Sequence, residues 1–135
     1  MPTVFPDLLV PFLAPFVLRV VVGLVFVSIG IRTWRRAGTL AHVSVPFVGA
    51  QPWVPYLAGV LEVALGVMFL VGWYTQVAAV IGIAGMIKYA VYHKWWPHML
   101  EEYYPLSPLA ATLIGAICVS LLISGAGLHA FDVYL

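Results

Sequence analysis

Three ionisable residues stand inside long apolar runs of this chain: Arg19, Glu62 and Lys88. A charge at the centre of a bilayer costs about 2.5–3.5 kcal/mol on insertion scales, so each needs a partner or a use. Counted along its run, Arg19 lies roughly 10 Å from one membrane face, with Glu62 roughly 16 Å and Lys88 roughly 18 Å from the same face. Two cations and one carboxylate at comparable depth leave two readings open. An Arg19–Glu62 pair can fix helix register, or it can hold a ligand's polar group or pass a proton. Lys88 can share the carboxylate or snorkel its ammonium to the surface.

A second group is Tyr89, Tyr92, His93, Trp95, Trp96, His98, Glu101, Glu102, Tyr103 and Tyr104. Imidazoles and carboxylates so close together invite a metal. However, His93 and His98 are five apart and do not share a helix face, and no HExxH or ExxH arrangement occurs, so no metal is expected. A solvated interfacial loop is the simpler reading, with an aromatic rim on which a quinone or a lipid headgroup could dock and with Glu101 and Glu102 available to a partner subunit. His42, His98 and His129 fall in loops or the tail and His93 at a span end, which leaves haem without ligands at depth. No glycine-rich phosphate loop follows a strand. The single cysteine, Cys118, sits mid-span as a small packing residue and excludes an internal disulfide.

The elements that must position these residues follow from composition. Of 135 residues, 64% are hydrophobic and 8% charged, against roughly 45–50% and 25% in soluble domains. This is an all-α integral membrane protein in a single domain, and a net charge of +1 points to no nucleic-acid partner. Four stretches are long enough to cross: about 12–31, 54–73, 76–92 and 106–124. They give a four-helix bundle of two antiparallel hairpins, with a tight turn between the second and third spans. The loop 37–53 is too apolar for water and is expected at the membrane surface, with Phe47 and Trp53 at headgroup level. The leader has no Lys or Arg, so the first span reads as retained rather than cleaved. Arg32, Arg35, Arg36 and Lys94 gather on one side, with Asp7 and Asp132 on the other. The positive-inside rule then puts both termini outside.

Glycines mark the faces that should meet. Arg19, Gly23, Phe26 and Gly30 share one helix face, as do Gly59, Glu62 and Gly66. Ala78 and Gly82, with Gly85 nearby, and Ala111 and Gly115 repeat the small-residue spacing that lets membrane helices approach.

The stretches LRVVVGLVFVSIGIRTW, PYLAGVLEVALGVMFLVGWYTQVAAVIGIAGM and the closing ISGAGLHAFDVYL resemble the DoxX family of small four-helix prokaryotic membrane proteins. An arginine followed by Gly23, Phe26 and Gly30 in the first helix, then a glutamate with a glycine turn after it in the second, carry most of the likeness. The resemblance implies a quinone-linked setting in the prokaryotic plasma membrane. It also implies association with other membrane or redox subunits, or with further copies of the chain. By motif it singles out Arg19, Gly23, Gly30 and Glu62, with Arg32 near a position where many relatives have Lys. His93 stands where some similar proteins carry His. The expected role is an accessory or quinone-interacting subunit of a membrane redox complex. A small transporter or proton-coupled carrier, or a purely structural assembly subunit, is the alternative. Basic termini in relatives suggest the opposite orientation from the one that charge gives here.

Overall fold

The computed structural model describes residues 10–104 and 106–124. Asp7, His129, Asp132 and the closing glycine-containing segment lie outside the described residues. Among the described residues six helices run in order: α1 Val10–Arg35, α2 Ala37–Leu40, α3 Val54–Val71, α4 Thr75–Trp95, α5 Pro97–Tyr103 and α6 Pro108–Ser124. Of these, α1, α3 and α4 are each long and apolar enough to cross a membrane, and α5 with α6, bent by 72°, brings the candidate spans among the described residues to four if the pair counts as one. The expected all-α membrane fold is therefore what forms. Its first span is longer than the apolar run alone suggests, because the helix continues through Arg32 to Arg35.

Local chemistry sets the boundaries. Pro55 stands in the first turn of α3, where its missing N–H has no intrahelical partner to lose. Gly72 ends α3 with φ 74°, a left-handed conformation that glycine adopts without steric cost. Its N–H and that of Trp73 both donate to the Met68 carbonyl, at 2.9 and 3.1 Å. Trp96, held extended by the proline that follows it, breaks α4 from α5. Within the loop 37–53, α2 is followed by a tight bend bridged between Val45 and Gly49, which projects Phe47 into full exposure.

The principal interface is α1 against α3, antiparallel and at backbone contact. A Cβ on Gly66 would fall 2.7 Å from the Gly23 carbonyl oxygen, and one on Gly30 would fall 2.8 Å from that of Gly59. α4 packs mainly on α6, where Gly82 faces the Cys118 Sγ. α3 and α4 are joined by the tight turn, but their backbones approach far less than those of α1 and α3. One core links the two pairs: Val22, Phe26, Phe69, Ala78, Cys118 and Leu121 are all buried, and the Phe26 and Phe69 rings stack at 5.9 Å. The outer face carries Leu24, Leu61, Ile87 and Leu113, each more than half exposed, as suits a surface solvated by lipid.

Candidate functional site: a carboxylate-lined cavity

The gap left between α3 and α4 holds a cavity of about 150 Å³. Phe26 and Ile29 of α1, Leu61 and Leu65 of α3 and Met86 of α4 make it apolar; Glu62, Lys88, Tyr89 and Tyr104 supply its polar groups. Glu62 is half-buried there. Its Oε1 accepts a hydrogen bond from the Tyr104 hydroxyl, and its Oε2 lies 3.1 Å from the Thr33 hydroxyl. Thr33 Oγ1 is also 3.0 Å from the Ile29 carbonyl one turn back. A threonine hydroxyl has one proton to give, so two arrangements fit the same atoms. Thr33 donates to an ionised Glu62, or it donates to Ile29 and accepts the proton of a neutral Glu62. The carboxyl can therefore gain or lose a proton without moving its neighbours.

Tyr104 reaches Glu62 because the segment after α5 is tied down. Tyr89 donates to the Leu106 carbonyl at 2.5 Å, pinning the α5–α6 connection against α4. Leu100 on α5 and Tyr89 share a small buried cluster with Ala111 of α6. A loop expected to lie at the interface thus sends one phenol inward to a carboxylate on α3.

Arg19 is not brought to Glu62. Glu62 lies between Gly59 and Gly66, which cross α1 at Gly30 and Gly23, so its level on α1 is near Val27. Arg19 stands eight residues away, about 12 Å along the axis at 1.5 Å per residue. Helical side chains also lean toward their own N-terminus, so on antiparallel helices Arg19 and Glu62 lean apart. The guanidinium accordingly lies over the Phe16 ring, 5.2 Å from its centroid and one turn earlier, in a side chain 1% exposed. Lys88 does join Glu62 on the cavity wall, with its ammonium 5.9 Å from the Tyr92 ring. His93 stacks on Tyr89 at 6.1 Å but is exposed and lines a separate groove between α4 and α6. Gly23, Gly30, Gly59, Gly66 and Gly82 are all buried.

Read from sequence, Thr33 is passed over and Tyr104 is named only within the aromatic rim, not as a partner of Glu62. Thr33 had a signal, since the face through Gly23, Phe26 and Gly30 reaches it three residues later. Tyr104 had none, because nothing periodic links a loop phenol to a glutamate 42 positions earlier.

The family model described as DoxX matches residues 14–95, which contain Thr33, Glu62 and Lys88 but stop before Tyr104. No curated protein and no solved structure matches the chain.

Proposed function

Since the chain belongs to the DoxX family, we propose that it is a quinone-interacting accessory subunit of a redox complex in a prokaryotic cell membrane, with the Glu62 cavity as its headgroup site. The observation that carries this reading is a carboxylate and a phenol in hydrogen-bond contact on the wall of an otherwise apolar cavity within a membrane bundle. Ligand sites are mostly apolar with a few convergent polar groups, and drug-sized ones exceed roughly 300 Å³. A cavity of about 150 Å³ suits a single ring whose tail remains among the lipids.

When bound, a quinone supplies two-electron, two-proton chemistry. The chain's own residues bind and move protons. Glu62 Oε2 holds a proton against Thr33 or releases it, and the Tyr104 hydroxyl fixes the other oxygen. The Lys88 ammonium offers a hydrogen bond to a ring carbonyl. Leu61, Leu65 and Phe26 keep water away from the exchange. Electrons pass to or from a partner subunit. The basic end of the bundle, with Arg32, Arg35 and Arg36, faces the cytoplasm, so proton exchange at Glu62 lies nearer that side.

The test is titration of the detergent-purified chain with short-chain benzoquinone and naphthoquinone, followed by quenching of tryptophan fluorescence. The wild type binds saturably, and Glu62→Gln weakens binding about tenfold, as loss of one charge-assisted hydrogen bond predicts. Its melting temperature stays within a few degrees, because the amide still accepts from Tyr104. Absence of saturable binding by the wild type overturns the proposal. Unchanged binding in Glu62→Gln with loss of partner subunits on co-purification assigns Glu62 to assembly instead.

A further inference from the structure

Beside the Glu62 cavity, and sharing Ile29, Tyr104 and Leu106 with it, is a second space of about 50 Å³ lined also by Arg32 and Tyr103. We infer that this space binds a phosphate-type oxyanion, supplied by the headgroup of an anionic phospholipid. The inference does not depend on what occupies the Glu62 cavity.

Tyr103 is the reason to expect a ligand. Its side chain is 7% exposed, and its hydroxyl is enclosed and makes no hydrogen bond. Leaving a buried hydroxyl without a partner costs about 1–3 kcal/mol, so the position calls for a group that supplies one. Arg32 sets the chemistry of that group. A guanidinium presents donors only and a phenol donates readily, and both residues line this space, so a ligand rich in acceptors suits it. Planar, forked donors on a permanent positive charge match phosphate oxygens in geometry as well as charge.

Volume and position narrow the choice further. A water occupies about 30 Å³, so about 50 Å³ admits one oxyanion group and excludes the remainder of a lipid. Arg32 stands in the last turn of α1 and Tyr103 ends α5, which puts the space at the basic end of the bundle, where headgroup phosphates lie. Tyr104 walls both spaces while donating to Glu62, so an oxyanion here rests against the back of the residue that holds the carboxylate.

The full chain, purified in a neutral detergent, is titrated with phosphatidylglycerol, with phosphatidylcholine and with inorganic phosphate. Melting temperature and lipid retention in native mass spectrometry are the readouts. Phosphatidylglycerol raises the melting temperature saturably and phosphatidylcholine does not. Arg32→Gln weakens the phosphatidylglycerol response about tenfold, since it removes the charge-assisted contact. Tyr103→Phe weakens it about threefold, the loss of one neutral hydrogen bond, and leaves the lipid-free melting temperature unchanged because the hydroxyl has no protein partner to lose. Arg35→Gln, on an arginine exposed like Arg32 but outside this space, retains the wild-type response. If inorganic phosphate at millimolar concentration reproduces the stabilisation and Arg32→Gln abolishes it, the site holds and its ligand is the free anion. Equal losses in Arg32→Gln and Arg35→Gln, or equal responses to the two lipids, overturn the inference, because diffuse surface charge or no headgroup preference then accounts for binding.

Discussion

The two ends of the α1–α3 pair carry one intramembrane charge each and treat it in opposite ways. At one end Arg19 is enclosed almost completely, lying over Phe16. At the other, Glu62 is half-buried on the wall of a cavity, bonded by residues from two other segments. Backbone packing explains the contrast. The seam through Gly23, Gly30, Gly59 and Gly66 holds α1 and α3 at contact along both ends. Near the turn, Ala78 and Ala79 of α4 pack into the core with Val22 and Phe69, whereas at the Glu62 end the gap between α3 and α4 opens as the cavity. One charge is therefore sealed into the frame while the other is left where a small molecule and a proton can reach it. The two charges differ in accessibility as well as in level, standing about 12 Å apart along the helix.

The strongest way to break that comparison is at Arg19. Arg19→Ala removes a large, fully enclosed side chain, and truncations of that kind cost about 2–5 kcal/mol. The thermal midpoint in detergent should fall sharply. Quinone titration of the surviving fold should give the wild-type affinity within twofold, because the cavity lies about 12 Å away along the helix. A parallel loss of affinity would show that the two ends act together.

Next in size is the seam itself. A Cβ on Gly66 meets the Gly23 carbonyl and the Val27 amide, both at 2.7 Å, and neither is the end of a flexible side chain. Gly66→Ala therefore forces two helix backbones apart, at about 1–3 kcal/mol by the usual cost of overpacking. The shift also moves Glu62, one turn away on the same helix, so lowered stability should come with weakened quinone binding. Stability lost with binding intact would mean that the seam and the cavity are independent.

The frame was legible in the sequence and the pairing within it was not, for reasons that particular residues make plain. Apolar length gave the spans, and the seven-residue separation of Gly23 from Gly30 and of Gly59 from Gly66 marked the faces that meet. Pairing Arg19 with Glu62 required knowing helix register to within a turn. Depth counted from the ends of apolar runs does not supply that, because α1 runs on through Arg32 to Arg35. Side-chain lean then widens the error on antiparallel helices. Tyr104 depends on the break at Trp96–Pro97 and on the Tyr89 bond to Leu106, tertiary features with no periodic trace. The loop carrying it was expected at the surface on its polarity, and its polarity is that of the residues around Tyr104 rather than of the phenol's own destination.

A smaller effect is expected at that bond. Tyr89→Phe keeps the ring in its cluster and removes only the donation to the Leu106 carbonyl, worth about 0.5–1.5 kcal/mol. Its value lies in where the change appears. The bond secures the connection that delivers Tyr104, so amide exchange should quicken around 104–107 while α1 and α3 keep their protection. Uniform acceleration through all helices would instead make Tyr89 part of the general core.

The smallest effect separates the cavity from the seam most cleanly. Gly85 lines the Glu62 cavity, and a Cβ placed there meets nothing within 4 Å. Gly85→Ala should therefore leave stability unchanged or raise it by up to about 1 kcal/mol through helix propensity. The identical substitution at Gly66 forces two backbones apart; here the methyl simply takes up room. If the cavity holds the quinone ring as proposed, the added carbon should weaken binding of a ring-substituted naphthoquinone more than that of an unsubstituted benzoquinone. If both quinones lose affinity equally while the fold stays intact, the cavity admits the ring along another wall, and the α4 face bearing Gly85 plays no part in its selectivity.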